Sequence, residues 1–410
     1  MNNANLKIFE LLSPKIERDN IKLGLARINE ALKELGNPCK NIPAIQIIGT
    51  NGKGSIAAYL ESILFESKKN FGVTTSPHLF DICERIRVNK KNINKADFEE
   101  IYTLIKKNLS NHELTPFEKI ICCALKYFDD KKVDLLILEA GLGGRLDATT
   151  AHKLRPIIAI GNIGLDHKEF LGDTIEKIAK EKLAVIQKNS IVISCGQNSK
   201  VEKLINKKVR DVGAEIIWKD PISKSYELGL KGIFQKQNAS VAVGAIEALN
   251  KLGFNIKEKY IYEGLKKTSW DGRLEIINYS NRKILVDCAH NYPAAKALSI
   301  ERSKWKNEDE GIYWIIGVQR QKDMCAILKT LLKKNDYLLL VPVPNQPSWQ
   351  LKNLPQIKEI DSQKIIEFEK FEFAIEFLFA LKKWPPNHPV LTGSIYLVAE
   401  FIKFAKTQKG

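Results

Sequence analysis

The chain reads as an α/β protein: a mostly parallel sheet domain built on a phosphate-loop-type turn, followed by a second, smaller α/β domain. Three observations predict this. Apolar runs alternate with amphipathic stretches almost throughout, the pattern of parallel strands joined by helical crossovers. A glycine-rich turn with a lysine, GTNGKGS at 49–55, stands between an apolar run and a helical pattern. The length of 410 residues exceeds what one hydrophobic core usually serves, so two domains are expected.

The first series has expected strands at 44–48, 72–75, 133–139, 157–160 and 191–194 and expected helices at 97–109, 116–128, 175–186 and 238–252. Each strand is a short apolar run bounded by polar or glycine-containing turns, as buried parallel strands are. After the glycine-rich turn, Ile56, Leu60, Ile63 and Leu64 fall on one face of a helix. A polar turn, KKTSWDGRLEI at 266–276, precedes a second series with strands at 283–287, 312–317, 337–341 and 389–391, the last leading into a helix after Gly393. The boundary is placed near residue 270, giving domains 1–268 and 269–410. Residues 342–365, rich in proline and polar side chains, are expected to form loops.

Composition excludes several classes. Charged residues make up 27% and the nine hydrophobic types 44%, a globular balance, and no 18-residue apolar stretch offers a membrane span. The opening MNNANLKIFELL lacks a basic segment followed by an apolar one, so no signal peptide is read and a cytoplasmic location is expected. Seven scattered cysteines without a C-x-x-C pair indicate neither a zinc site nor a disulfide framework, and Cys288 reads as buried filler. The net charge of +16 invites nucleic acid, but its lysines come in pairs such as Lys68-Lys69, Lys90-Lys91 and Lys131-Lys132, as on solvated faces. No arginine–aromatic cluster suited to stacking bases is present. The expectation is no nucleic acid and no membrane; a polyanionic small substrate would also be drawn by such a field.

The chemistry-bearing residues concentrate where strands run out. The turn at 49–55 suits backbone N–H groups and a helix N-terminus cradling phosphate, with Lys53 as a point charge. It departs from the usual G-x-x-x-x-G-K-[ST], since Gly54 separates the lysine from Ser55. An apolar strand delivers Glu139 into a Gly-x-Gly-Gly turn leading to Arg145 and Asp147. An acid at the end of a buried strand after a phosphate loop is one way magnesium is held; a Glu that merely caps a neighbouring helix is the alternative. Of six histidines, His78, His167 and His290 lie at strand-end turns, while His112, His152 and His388 read as ordinary turn residues. Lys182 lies on an amphipathic helix fifteen residues after His167, and its spacing alone does not mark it.

Taken together, GTNGKGS, TSPHL, ERIRV, LEAGLGGRLDAT, LDH, KEK, QNA and DCAHN resemble the folylpolyglutamate synthase and dihydrofolate synthase family of Mur-type ligases. The resemblance runs from about residue 9 to LTGSIYLVAE at 391–400, and the phosphate loop with the extra glycine is that family's form. It implies a P-loop-type domain plus a Rossmann-like one. It implies that Thr50, Asn51, Gly52, Lys53, Gly54 and Ser55 hold the ATP phosphates, and that Asn238, Arg273 and Asp287 contact the nucleotide. Two magnesium ions are implied, one on Ser76 and Glu139 and a second on His167, with Lys182 as an N6-carboxylysine toward the second. Leu12, Ser13, Thr115, Pro116, Phe117, Glu118, Leu146, Asp147 and Ala148 correspond to pterin and folate contacts. His290 and Ser394 look like parts of the glutamate site, with Lys53, Lys182 and His290 as the catalytic set. The chain departs from the family at Thr150, where an Asn is usual, at Tyr292, an insertion before Pro293, and at Gln321, where an acid is usual.

The activity this implies is ATP-dependent joining of L-glutamate to dihydropteroate and to reduced folates through an acyl phosphate. No partner beyond these small molecules is expected, and a monomer is the default. A ligase adding an amino acid to another acyl acceptor is the alternative. A nucleic-acid-stimulated ATPase, favoured only by net charge, is a third reading from a different class.

Overall fold

The computed structural model describes residues 21–305, 310–354 and 364–407. The chain divides into two compact units, residues 1–229 with 234–269, and residues 230–233 with 270–410.

The first unit is built on an eight-stranded sheet. Its strands are β1 (Ala44–Ile48), β2 (Phe71–Thr74), β3 (Ile86–Val88), β4 (Lys91–Asn92), β5 (Leu135–Glu139), β6 (Ile157–Ile160), β7 (Ile191–Cys195) and β8 (Glu215–Lys219). They lie in the order β4-β3-β2-β5-β1-β6-β7-β8, parallel from β2 to β8, with β3 and β4 turning back antiparallel at one edge. All five residues of β1 are buried, as a central strand covered on both faces requires.

Neighbours in register share a face. Gln46 stands level with Leu138 and Ile158, in the middle of a face otherwise apolar. That face carries two clusters. One joins Leu136 and Leu138 to Phe98, Ile120 and Phe128; the other joins Ile48, Ile158 and Ile160 to Ile178, Val201 and Ile205. Gln46 is fully buried between them, and its Nε2 donates to Thr149 Oγ1 at 3.0 Å and Thr150 Oγ1 at 2.8 Å. The hydroxyls of Thr149 and Thr150 satisfy its NH2 group, while its Oε1 is buried without a hydrogen-bond partner among the described residues.

Local sequence explains the helices that matter. Pro116–Asp130 starts with Thr115 accepting from the N–H of Glu118 and the Glu118 carboxylate accepting from the Thr115 N–H, with Pro116 in the first turn. Lys53–Glu66 begins directly after Gly52, whose φ of 87° is a left-handed conformation. The strands β3, β4 and β8 go beyond the expected set: the first two are only three and two residues long, and β8 exposes Glu215 and Trp218 with none of its residues fully buried, so none shows a clear apolar run.

The second unit holds a six-stranded sheet of β9 (Glu275–Tyr279), β10 (Arg282–Val286), β11 (Tyr313–Ile316), β12 (Tyr337–Leu340), β13 (Ile365–Glu367) and β14 (Val390–Thr392). The order is β13-β12-β11-β14-β10-β9, parallel except for β9, which forms a hairpin with β10. Left-handed Ser280 and Asn281 make that two-residue turn. Because β14 returns between β10 and β11, the loops after these three strands meet at one end of the sheet. Among the described residues no helix is long and apolar enough to cross a membrane.

Candidate active site

In the first unit the site assembles at the carboxyl ends of β1, β5, β2 and β6, where open α/β sheets present their ligand-binding loops. The glycine-rich turn leaves β1 and is held from below by Asn162, whose carbonyl accepts from the N–H of Thr50 at 2.7 Å and of Asn51 at 3.1 Å. Thr50 Oγ1 donates to the Gly164 carbonyl and accepts from the Gly164 N–H, closing the turn on the loop after β6. A side chain at Gly52 would meet Asn238 Oδ1 at 2.4 Å, so Asn238 lies directly against the loop. Its Nδ2 donates to Gln235 Oε1, and Gln235 Nε2 donates to Ser55 Oγ at 3.2 Å. Gln235 is fully buried and was not among the expected residues. Its position one helical turn before Asn238 is the signal that would have found it.

Two lysines converge on the start of the loop. Lys53 Nζ donates to the carbonyls of Gly49 and Thr50, both at 3.2 Å, and Lys182 Nζ donates to the same Gly49 carbonyl at 2.9 Å. Lys182 is buried, and burial together with the nearby Lys53 charge brings its pKa down to about 7, against the opposing pull of Asp166 and Asp147. The helix Ile175–Leu183 that carries it packs on the turn after β5. A Cβ at Gly144 would sit 2.6 Å from the Lys182 carbonyl, and the Arg145 N–H donates to the Glu181 carbonyl. The second Gly-Gly position of LEAGLGGR is therefore a packing requirement of the lysine's helix.

Glu139, buried at the end of β5, accepts from the N–H of Ser76 at 3.1 Å. Ser76 Oγ is buried and has no hydrogen-bond partner among the described residues. An orphaned hydroxyl beside a carboxylate fits one end of a hard-cation site whose other ligands are phosphates and water. Among the described residues no cluster of three or more His, Cys, Asp or Glu could hold a metal on its own. His167 adopts φ 50° at the loop after β6, its N–H donating to Asp166 Oδ1 and its Nε2 3.8 Å from Asp166 Oδ2.

The turn after β5 is organised by Asp147. Its Oδ2 accepts from the N–H groups of Gly141 and Leu142, both at 2.9 Å, and its Oδ1 from Thr149 N–H and Oγ1. Burial nevertheless holds its pKa above the usual carboxylate value. A Cβ at Gly141 would meet the Phe117 ring at 2.8 Å, so the segments 115–118 and 146–148 are brought together across that glycine. Glu118 is engaged twice, by Thr115 and by an ion pair with Arg27 at 3.1 Å. Leu12 and Ser13 lie outside the described residues.

The second unit gathers its expected residues at the junction of β10, β11 and β14. Asp287 is buried, which raises its pKa against the nearby Arg273 charge, and it accepts from the N–H groups of Leu274 and Ala289. Arg273 Nε is buried without a hydrogen-bond partner among the described residues. His290 Nδ1 lies 2.8 Å from the Cys288 carbonyl, and the Ala289 carbonyl accepts from the N–H of Gly393 beside buried Ser394. Cys288 is buried, as expected of filler.

This is the architecture of a Mur-type ligase: a phosphate-loop sheet unit followed by a Rossmann-like unit. The family models agree, with "Mur ligase middle domain" matching residues 47–213 and "Dihydrofolate synthetase, C-terminal domain" matching residues 272–404. The chain is 31% identical to a probable dihydrofolate synthetase of Schizosaccharomyces pombe, over 94% of this chain and 99% of that one. It is 29% identical to the dihydrofolate synthase/folylpolyglutamate synthase of Bacillus subtilis, over 94% and 96%. The crystal structure of a folylpolyglutamate synthase from Thermotoga maritima superposes with a TM-score of 0.81 at 28% identity, covering 99% of this chain and 97% of that one. The chain belongs to the dihydrofolate synthase and folylpolyglutamate synthase family.

Proposed function

We propose that the protein joins L-glutamate to dihydropteroate and to reduced folates, consuming ATP and releasing ADP and phosphate. The observation that carries this is the lysine pair on Gly49 after β1, with the orphaned Ser76 hydroxyl and the Glu139 carboxylate at the same end of the sheet, after β2 and at the end of β5. That arrangement suits transfer of a phosphoryl group to a bound carboxylate.

A carboxylate is a poor acyl donor, so amide formation in water needs activation. The acceptor's carboxylate attacks the γ-phosphate and forms an acyl phosphate, which the glutamate amine then captures. Phosphoryl transfer asks mainly for positioning and neutralisation of charge. The N–H groups of 50–55 and Lys53 would supply both to the phosphates. Ser76, Glu139 and His167 would hold divalent cations, magnesium in two sites, which neutralise phosphate charge when bound. Lys182 reacts with carbon dioxide only as the neutral amine, and a pKa of about 7 leaves much of it neutral at physiological pH. Its N6-carboxylated form would turn a cation beside Lys53 into an anion. Thr115–Glu118 and Leu146–Ala148, brought together at Phe117, would line the pterin and pteroate, with Leu12 and Ser13 added from the amino terminus. Asn238, Arg273 and Asp287 would contact the nucleotide, and His290 and Ser394 the incoming glutamate.

One observation favours a narrower reading, in which only the first glutamate is added: the carboxyl-terminal match is to the dihydrofolate synthetase model. An ADP-release assay with dihydropteroate or tetrahydrofolate, each with and without glutamate, tests both. Glutamate-dependent release with both acceptors supports the full proposal, and release with dihydropteroate alone the narrower one. Release with neither, but with a UDP-sugar acid, would transfer the mechanism to another acceptor.

A further inference from the structure

The three charged residues of the segment ERIRV, residues 84–88, all reach the turn that carries Ser76. The Glu84 carboxylate accepts from three consecutive backbone N–H groups, Leu79 at 2.7 Å and Phe80 and Asp81 at 2.8 Å. Only the Asp81 bond belongs to the capping box of the short helix Ile82–Arg85. The other two are beyond what a cap needs and hold the far side of the Ser76 turn. Arg85 is buried, and its Nε donates to His78 Nδ1 at 3.0 Å, while its carbonyl accepts from the Thr75 N–H.

Arg87 makes the longest connection. Its guanidinium forks onto Glu61 at 2.9–3.1 Å, and its Nη1 donates to Thr75 Oγ1 at 2.9 Å and to the Glu84 carbonyl. Glu61 lies on the helix Lys53–Glu66 that the phosphate loop opens, and Thr75 immediately precedes Ser76. Both members of the pair are buried, their side chains 8% and 6% exposed. The fork therefore joins the phosphate-loop helix directly to the serine's turn, in a setting where a bidentate pair has a single geometry.

We propose that ERIRV is the frame that sets the Ser76 hydroxyl against the phosphate loop, with Glu84 and Arg87 as positioning residues for the cation that accompanies the nucleotide. This rests on Ser76 and Glu139 being cation ligands, as in the function proposed above. Outer partners of metal ligands typically alter metal affinity roughly 10- to 100-fold when removed.

The test uses the full chain and a non-hydrolysable ATP analogue, AMPPNP, titrated calorimetrically with Mn2+ and separately in EDTA. Glu84→Gln, which halves the acceptor capacity at the turn, is expected to weaken Mn2+-dependent binding by roughly tenfold or more while leaving binding in EDTA unchanged. Thr75→Val removes the hydroxyl that Arg87 grips at nearly constant volume and is expected to act in the same direction by a smaller factor. It decides the matter should Glu84→Gln fail to fold. Wild-type affinity in both variants would overturn the frame, as would an equal loss with and without metal. A wild-type chain that gains no affinity from Mn2+ would remove the cation reading of Ser76 and the frame together, whereas a gain in wild type with unaffected variants removes the frame alone.

Discussion

Each unit of this chain buries an arginine–carboxylate pair, and the two pairs have opposite surroundings. In the second unit Arg302 and Asp336 are 1% and 0% exposed, and Asp336 lies just before β12, at the amino end of the sheet. Its carboxylate accepts from both terminal nitrogens of Arg302, from the N–H groups of Ile312 and Lys333, and from Trp314 Nε1. Every lone pair of the carboxylate is in use. In the first unit Arg87 and Glu61 lie beside the carboxyl end of β2, and the network around them stops one residue short: Ser76 Oγ has no partner. Both networks keep an orphan among the described residues: in the second unit it is Arg302 Nε, a donor of the fold-securing pair itself, whereas in the first it is a hydroxyl beside a carboxylate at the carboxyl end of a strand, where α/β sheets take their ligands. Tyr59 and Ser62 also bury hydroxyls unpaired among the described residues, and what distinguishes Ser76 is its place next to the Glu139 carboxylate.

Several experiments would break or sharpen that contrast. The largest expected effect is that of Lys53→Ala, which would remove the charge proposed to meet the transferred phosphate. Glutamate-dependent ADP release should fall by on the order of 10³-fold or more, with the urea unfolding midpoint little changed. Asp336→Ala should do the reverse, stranding a buried guanidinium. A loss of about 3–5 kcal/mol in stability is expected from equilibrium urea unfolding, with kcat retained at low temperature where the chain stays folded. Lys182→Ala should lower turnover by about 10²-fold, with partial recovery on adding short carboxylic acids that would take the place of the proposed carbamate. Full activity without such acids would remove the carboxylysine.

The smallest effect concerns pH. His152 is buried with Nε2 at 2.9 Å from the Ile42 carbonyl, and burial brings its pKa from 6.5 to about 4. Between those values the unfolded chain binds the extra proton, so this contribution is fully present above pH 6.5 and is lost as pH falls toward 4. At pH 5 the loss is about 2 kcal/mol. His152→Gln should flatten that part of the stability profile, measured as unfolding free energy from pH 7 to 4.5, without touching turnover at neutral pH.

Much of the architecture was legible in the chain. Parallel strands covered on both faces must be short apolar runs, and the runs at 44–48 and 157–160 correspond to β1 and β6 residue for residue. The glycine-rich turn was equally plain, because backbone that must approach phosphate can tolerate little side chain. Edge elements were not. β4 has two exposed residues, and β13 begins where a loop stretch was expected to end, since an edge strand is defined by the neighbour it pairs with rather than by its own composition.

The sequence by itself determined the two-unit α/β organisation, the phosphate loop, and the membership of Glu139 and His167 among strand-end residues. Local apolar periodicity and glycine placement are short-range properties and survive in a linear reading. Only the tertiary structure decided that Lys182 is buried against Lys53 through a shared carbonyl 133 residues away, that Gln235 reaches Ser55, and that ERIRV grips the Ser76 turn. Whether a lysine or an arginine lies in water or in a low-dielectric site depends on what folds over it, and those neighbours come from distant parts of the chain.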